Sequence, residues 1–506
     1  MPKSNSVPPP AAKKPRSKAE TRVKPVEVQA TPSPASGGSV VIEADDAPVK
    51  PSEIENYTTA LRYLNERVNV ERTNPVRVSP DAFKLDRMRR LLEELGNPQR
   101  GLTTVHIAGS KGKGSTVEMT ASCLAACGYA VGVYTSPHLV DIRERIRING
   151  ELIGYQSFAK LCQKVALAGE AIAEEFGEPT FFEIVTAIAL CYFAEQAVDV
   201  AVVEVGLGGR LDATNCVEPA VTAITAIQLE HTQLLGDTVE KIAAEKAGIF
   251  KPGVPALTIP QAPGVMEVFR EIAAKVNTPL EVLGSDIDFS YRFEATPELG
   301  PHARVVLTTP RSNFEHLPVP LKGEHQALNC GLALAIVDKL RTRGLDTSER
   351  KVAEGLARTP NHGRMEMAWN SPRILLDGAH TPDSIAALVK ALGAHYKSDS
   401  LVVVFGCAAD KDVKAMLRKI AMGADKIIFT KAAGNTRAMD PRELQKRYAE
   451  VGHKMSQVAR NLPEALSVAA KGAGRGDLIL VTGSFYLVGE AKKHLQDLAG
   501  KKEPGR

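Results

Sequence analysis

Three short segments carry residues whose types and spacing suit chemistry on a phosphorylated ligand. The first is Gly109-Ser110-Lys111-Gly112-Lys113-Gly114-Ser115-Thr116. Successive backbone N–H groups in a glycine turn, placed at the start of a helix, favour an anion, and Lys113 adds a cation at the same point. The strict phosphate-loop spacing is not met, because Ile107 stands where its first glycine belongs. The second segment is Glu204-Val-Gly-Leu-Gly-Gly-Arg-Leu-Asp-Ala-Thr-Asn215, in which Glu204 offers hard oxygen to a cation such as Mg²⁺. The third is Glu230-His231, followed by Glu245-Lys246-Ala-Gly-Ile249. Read singly, Glu204 suits a tight turn, His231 a structural loop and Lys246 a solvated helix. Their weight comes from the elements that precede them.

Each segment follows a short apolar run. Thr103–Ala108, Val198–Val205 and Ala220–Ile227 read as buried strands, and Thr116–Ala126 reads as the helix after the glycine turn, closed by Gly128. Polar groups at the carboxyl ends of such strands lie where α/β sheets bind ligands. A second series starts after Thr359–Gly363. Ile374–Leu376, Leu401–Phe405, Lys426–Thr430 and Leu478–Val481 alternate with helices beginning near Pro382, Lys411, Pro441 and Pro463. The expected fold is therefore α/β: a phosphate-loop nucleotide-binding domain over 51–359, then a smaller doubly wound, Rossmann-like domain over 360–500.

Residues 1–50 differ from the rest. They hold nine of the 32 prolines and no aromatic residue, which predicts a disordered, basic, proline-rich tail. They also carry eight Lys and Arg against five Asp and Glu, so three of the four net positive charges lie there. The remaining body is nearly neutral, which argues against a nucleic-acid-binding surface. No apolar run approaches the roughly 18–20 residues of a membrane span, and no secretory h-region follows the basic start. The seven cysteines contain no CxxC pair, and a reducing, cytoplasmic setting is expected. No heptad or apolar edge calls for a partner subunit, so a monomer is expected.

Further ordered blocks give these segments an identity. They are Tyr134-Thr-Ser136-Pro-His-Leu139, Gly323-Glu-His-Gln326 with Asn329, Gly363-Arg364-Met-Glu366, Asp377-Gly-Ala-His380, Asp410-Lys-Asp412 and Thr482-Gly-Ser484. Together with the three segments above, the chain resembles the folylpolyglutamate synthase/dihydrofolate synthase family of the Mur-ligase superfamily over roughly 55–495. The resemblance implies ATP-dependent amide formation through an acyl phosphate, joining L-glutamate to dihydropteroate, to reduced folates, or to both, with a bifunctional enzyme expected. A monofunctional folylpolyglutamate synthase, or another Mur-type amino-acid ligase, is the alternative.

The same resemblance implies roles. Gly112, Lys113, Gly114 and Ser115 would hold the ATP phosphates; Asn329, Arg364 and Asp377 would bind the nucleotide. Ser136, Glu204 and His231 would ligate Mg²⁺. Lys246 matches a lysine that is carbamylated in the family, and His380 would help place the incoming glutamate or the reacting group. The pterin end is expected near Thr180, Phe181, Phe182 and Glu183, and near Leu211, Asp212 and Ala213, with both rings stacking and Glu183 accepting amino hydrogens. Four departures from the family pattern stand out: Ser110-Lys111 for Thr-Asn, Glu230 for Asp, Asn361-His362 for Trp-Pro, and Thr381 for Asn.

Overall fold

The computed structural model describes residues 47–71 and 83–502. Most of the predicted tail therefore lies outside the described residues.

Apolar strands, wholly buried at the centre and exposed at one edge, build the first sheet. Its members are β1 (Thr104–Ala108), β2 (Val131–Tyr134), β3 (Ile146–Ile148), β4 (Glu151–Leu152), β5 (Val200–Glu204), β6 (Pro219–Ile224), β7 (Ala256–Thr258) and β8 (Leu280–Val282). They lie in the order β4-β3-β2-β5-β1-β6-β7-β8; the pairs along β2-β5-β1-β6-β7-β8 are parallel, and the edge pairs β2-β3 and β3-β4 are antiparallel. Val105 and Ile107 face one apolar cluster with the helices Lys113–Ala126 and His325–Arg341, while Ala201 and Val203 face another with Phe181–Glu195 and Tyr155–Phe176. Helices thus cover both faces, as a parallel sheet requires.

A three-stranded antiparallel sheet follows: β9 (Asp288–Thr296), β10 (Gly300–Thr308) and β11 (Asn313–Pro318). The alternation of Phe289, Tyr291 and Phe293 in β9 fits a strand, but that strand is largely exposed and lies at the sheet edge.

The second large sheet contains β12 (Glu366–Asn370), β13 (Arg373–Leu376), β14 (Leu401–Phe405), β15 (Lys426–Phe429), β16 (Met455–Val458) and β17 (Leu478–Thr482). Its order is β12-β13-β17-β14-β15-β16, parallel except for the edge strand β12. Helices start at Pro382, Val413, Pro441 and Leu462. The second begins two residues later than the sequence suggests, because the Asp412 carboxylate accepts from Ala415 N and caps it. Among the described residues, no helix is long and apolar enough to cross a membrane.

Candidate active site

The order of the strands explains why the three polar segments meet. β1 lies between β5 and β6, so the loops after Ala108, Glu204 and Ile224 leave the sheet side by side. In the second sheet β13, β17 and β14 are adjacent, which brings together the turns at Asp377, Gly483 and Gly406. The two sets face one cleft of about 370 Å³. The first domain contributes Ser110–Ser115, Ser136, Glu204, Leu211–Ala213 and His231; the second contributes Arg364, His380, Lys411 and Tyr486.

The glycine turn is built to remain open. Gly109 packs so closely on β6 that a Cβ would sit 1.8 Å from Thr225 Oγ1. Gly112 caps the helix with φ 96°, and a Cβ there would lie 2.3 Å from Asn329 Oδ1. The N–H groups of Ser110 and Lys111 are already donated to Ala226 O, which fixes the loop on β6 and leaves the helix start to meet an anion. Lys113 Nζ donates to Gly109 O at 2.9 Å, so the side chain lies folded across the turn.

Lys246 reaches that same carbonyl from below. It is buried, donating to Gly109 O and to Glu230 Oε1, each at 3.0 Å. This corrects the solvated-helix reading: the side chain points inward from a helix packed on the Gly209 turn, where a Cβ would meet Glu245 O and Lys246 O within 3 Å. Burial lowers its pKa to about 8 against the opposing pull of Glu230. Lys111 Nζ lies 3.5 Å from the other Glu230 oxygen. Burial raises the Glu230 carboxyl, but Lys246, Lys113 and Lys111 outweigh it and hold this acid ionised.

Glu204 is buried and accepts from Ser136 N at 3.2 Å. Burial pushes its carboxyl upward, while Lys113 and Arg364 pull the other way. Arg364 comes across the cleft: a Cβ on Gly114 would be 2.2 Å from its Nη2 and 3.5 Å from Glu204 Oε2. His231 starts a short helix at φ 48° and is held neutral by burial, with a pKa of about 4. Among the described residues no three acidic, histidine or cysteine side chains gather at one point. A carboxylate, a serine hydroxyl and a neutral imidazole are compatible with Mg²⁺, an ion that commonly keeps water and phosphate oxygens in its shell.

Asp377 accepts from Met365 N at 3.0 Å and Ala379 N at 2.9 Å, and burial raises its pKa to about 6. Asn329 stands behind Gly112, and Asp377 stands beside the Arg364 turn; neither lines the cleft. His380 Nδ1 lies 2.7 Å from Gly378 O. A carbonyl only accepts, so Nδ1 carries the proton and Nε2 keeps its lone pair. Burial, with Lys111 and Lys411, lowers the imidazole to about 3. His380 is thus a neutral acceptor rather than a proton store.

At the far end of the cleft, Thr180 caps the helix Phe181–Glu195 in a reciprocal box with Glu183. Glu183 also pairs with buried Arg87, whose Nε–H is shared between its two oxygens at 3.1 and 2.9 Å. The cap loads its Oε2, while Oε1 meets Arg87 Nε alone among the described residues and Glu183 lines the cleft. Phe182 lines the cleft and packs on Gly206, whereas Phe181 is in the core with the Arg145 guanidinium 5.3 Å from its ring. The helix turns successive residues by about 100°, so two adjacent rings cannot both face one ligand.

Several lining residues had no local signal. Arg437 pairs with Asp410 at 2.6 Å and donates to Glu71 O at 2.9 Å, joining the second domain to a wall of the cleft. A second cavity of about 310 Å³ shares Lys111, Glu230, His231, His380 and Lys411 with the first and is otherwise lined chiefly by the Thr381 and Asp412 turns.

Comparison with known proteins agrees with this arrangement. Residues 107–337 match the Mur ligase middle domain and residues 363–485 match the Mur ligase glutamate ligase domain. The chain is 33% identical over 415 residues to the dihydrofolate synthase/folylpolyglutamate synthase of Bacillus subtilis, covering 81% of this chain and 95% of that protein. A Mycobacterium tuberculosis folylpolyglutamate synthase complexed with ADP and AMPPCP superposes with a TM-score of 0.75 at 32% identity, covering 82% and 95% of the two chains. E. coli FolC in complex with DHPP and ADP gives 0.75 at 28% identity, covering 90% and 100%.

Proposed function

The chain belongs to the folylpolyglutamate synthase/dihydrofolate synthase family of ATP-dependent ligases, and from that premise we propose that it is bifunctional, adding L-glutamate to dihydropteroate and to reduced folates. One observation carries the reading. A phosphate-binding turn, a cation-rich junction and an aromatic-walled end lie in order along a single cleft between two sheets.

ATP would place its phosphates on the N–H groups of Gly112–Ser115, with Lys113 leaving Gly109 O to meet them. Asn329 supports the turn from behind. Arg364 closes on the same point from the second domain, and Asp377 fixes the backbone that carries it. Ser136, Glu204 and His231 would hold Mg²⁺, which supplies charge neutralisation to the phosphoryl oxygens. The acceptor's flat ring would lie against Phe182, with Leu211, Asp212 and Ala213 around it, while Thr180 and Glu183 set the helix that presents Phe182.

The acceptor carboxylate attacks the γ-phosphorus, a C–O–P bond forms and ADP leaves. The amino group of glutamate then attacks the acyl carbon and phosphate departs with the C–O electron pair. The ammonium form of glutamate cannot attack, so its proton passes to water first, and the proton the nitrogen sheds after attack leaves on the departing phosphate. His380 Nε2 offers a lone pair to an ammonium hydrogen and so orients the nitrogen, while its low basicity keeps it from retaining the proton. Arg364 and His380 belong to the second domain and Lys113 to the first, so the site is complete only when the domains close and exclude water from the acyl phosphate.

Carbamylation of Lys246 requires the free amine, which burial favours, and requires Nζ to leave Glu230, whose charge opposes a carbamate. The enzyme is proposed to act as a cytoplasmic monomer. All seven cysteines are free and six are buried, which suits a reducing setting.

The test is phosphate release from ATP with Mg²⁺ and L-glutamate, comparing dihydropteroate with a reduced folate monoglutamate and identifying products by mass. Glutamylated product from both acceptors is the expected outcome. Product from one alone makes the enzyme monofunctional. Product from neither, with ATP bound, refutes the folate assignment in favour of another amino-acid ligase.

A further inference from the structure

One fully buried titratable side chain has no part in the chemistry above. His106 lies inside the first sheet on β1 with no exposed surface, between the apolar residues Val105 and Ile107. Its Nε2 is 2.8 Å from Thr214 Oγ1, and its Nδ1 has no hydrogen-bond partner. Thr214 Oγ1 in turn lies 2.5 Å from Asp212 Oδ1.

These contacts fix the direction of every proton. Burial pushes the Asp212 carboxyl upward, but the Thr214 and Leu207 N–H groups and the Thr214 hydroxyl favour its charged form. As a carboxylate it only accepts, so the Thr214 hydroxyl donates to it. The hydroxyl oxygen then accepts from His106, which must carry its proton on Nε2. That tautomer leaves a bare lone pair on Nδ1 in the core, an arrangement an apolar strand residue would avoid. The imidazole is therefore accounted for by what its Nε2–H does. It commits the Thr214 proton to Asp212, a buried carboxylate that also accepts from Thr214 N at 3.0 Å and Leu207 N at 2.8 Å. Asp212 lines the cleft beside Phe182 and Ala213.

We propose that His106 is a positioning residue for the acceptor end of the site: through Thr214 it holds Asp212 as a hydrogen-bond acceptor for the amino-substituted ring of the pteroyl substrate. This rests on the acceptor reading proposed above. Without the relay, the buried carboxyl takes up a proton or rotates away. A carboxylic O–H then faces an amino group that itself has only hydrogens to offer.

The relay is tested in the full-length protein by direct titration of dihydropteroate and of a reduced folate monoglutamate, alongside KM values for acceptor, ATP and glutamate. Thr214→Val keeps the shape and removes the hydroxyl; His106→Leu removes the donor. Both are expected to weaken acceptor Kd and KM by about tenfold, the scale of one hydrogen bond to a charged group, with KM for ATP and glutamate within about twofold. Thr214→Ser and His106→Gln each restore a donor at the same place and should recover most of the loss. Unchanged acceptor binding in Thr214→Val, or an equal rise in all three KM values, overturns the relay. Should His106→Leu not fold, Thr214→Val decides alone. Wild-type protein that binds neither acceptor would instead overturn the functional reading on which the relay rests.

Discussion

Replacing Gly114 by alanine separates the stability of the phosphate-loop helix from the job of the residue above it. Gly114 lies in the first turn of the helix Lys113–Ala126, and it is not among the residues with left-handed φ. Alanine is the better helix former by up to about 1 kcal/mol. Local propensity alone therefore predicts a protein as stable as the wild type or slightly more so. The new Cβ would sit 2.2 Å from Arg364 Nη2, whereas ordinary contact begins at 3.4 Å, so the guanidinium must retreat by at least 1.2 Å. It is the far end of a flexible side chain, and the retreat costs the fold little. It does withdraw the second domain's cation from the helix start and from Glu204. A misplacement of this size is worth on the order of 10²-fold when it falls on a group that meets the transition state. The expected result is a melting temperature unchanged or slightly raised, with kcat/KM for ATP down by about 10- to 100-fold. Thermal melts and phosphate release at saturating acceptor and glutamate measure the two sides. Turnover within about twofold of wild type at unchanged stability would refute the placement of Arg364 on the nucleotide. Gly112→Ala is the contrast, because φ 96° and the 2.3 Å approach of Asn329 Oδ1 predict loss of both stability and activity.

Glu204→Gln should abolish most turnover yet melt higher than wild type at pH 8. Burial raises the folded carboxyl above its unfolded value, so its contribution is present below the unfolded pKa and lost as pH rises; a lower melting temperature at pH 8 would count against this. Asp377 has a raised folded pKa of about 6, so kcat/KM for ATP should climb through that pH as the carboxylate forms, and Asp377→Asn should flatten the limb. By the same sign, Asp377→Asn should gain stability relative to wild type from pH 5 to pH 8, which melts across that range would check. Glu230→Gln removes the anion that supports the Lys246 ammonium, so the lysine pKa should fall below about 8. Carbamate at Lys246, read by ¹³C NMR with labelled bicarbonate, should then increase; equal occupancy in both proteins would show that Glu230 does not oppose the modification.

Much of the fold is legible because its central strands are short apolar runs that end abruptly. Val200–Glu204 and Leu401–Phe405 are buried at every position, and the turns after them carry glycine and charge. In a parallel sheet with helices on both faces, that pattern has few other meanings. The sheet of β9, β10 and β11 is not legible, for the opposite reason. Its first strand is exposed along most of its length, so no buried run announces it, and its register depends on β10 rather than on its own residues. Side-chain partnerships between distant residues leave no local pattern either. Glu183 looks free in a helix start until Arg87 arrives from 96 residues away, and the Phe181–Phe182 pair divides between core and cleft only once the helix direction is set.

The departures from the family pattern make sense as physical units rather than as single changes. Lys111 places an extra cation beside the phosphate turn, and Glu230 adds a methylene to the acid before His231. In the folded protein these two meet: one Glu230 oxygen faces Lys111 and the other faces Lys246. The longer acid can therefore span two ammonium groups that come from different elements, and the new positive charge is offset before ATP arrives. Thr381 likewise does a helix-capping task open to asparagine, accepting from Ser384 N at the start of Pro382–His395. His362 joins Lys492, which also bridges to Glu366, so the Asn361–Glu366 turn that carries Arg364 is held by charge in place of a ring. Each replacement contacts a group, or the turn carrying a group, to which the proposed reaction gives a role: Lys246 through Glu230, the His380 turn through Thr381, and the Arg364 turn through His362. This is why a reaction class can persist through substitutions inside its own motifs.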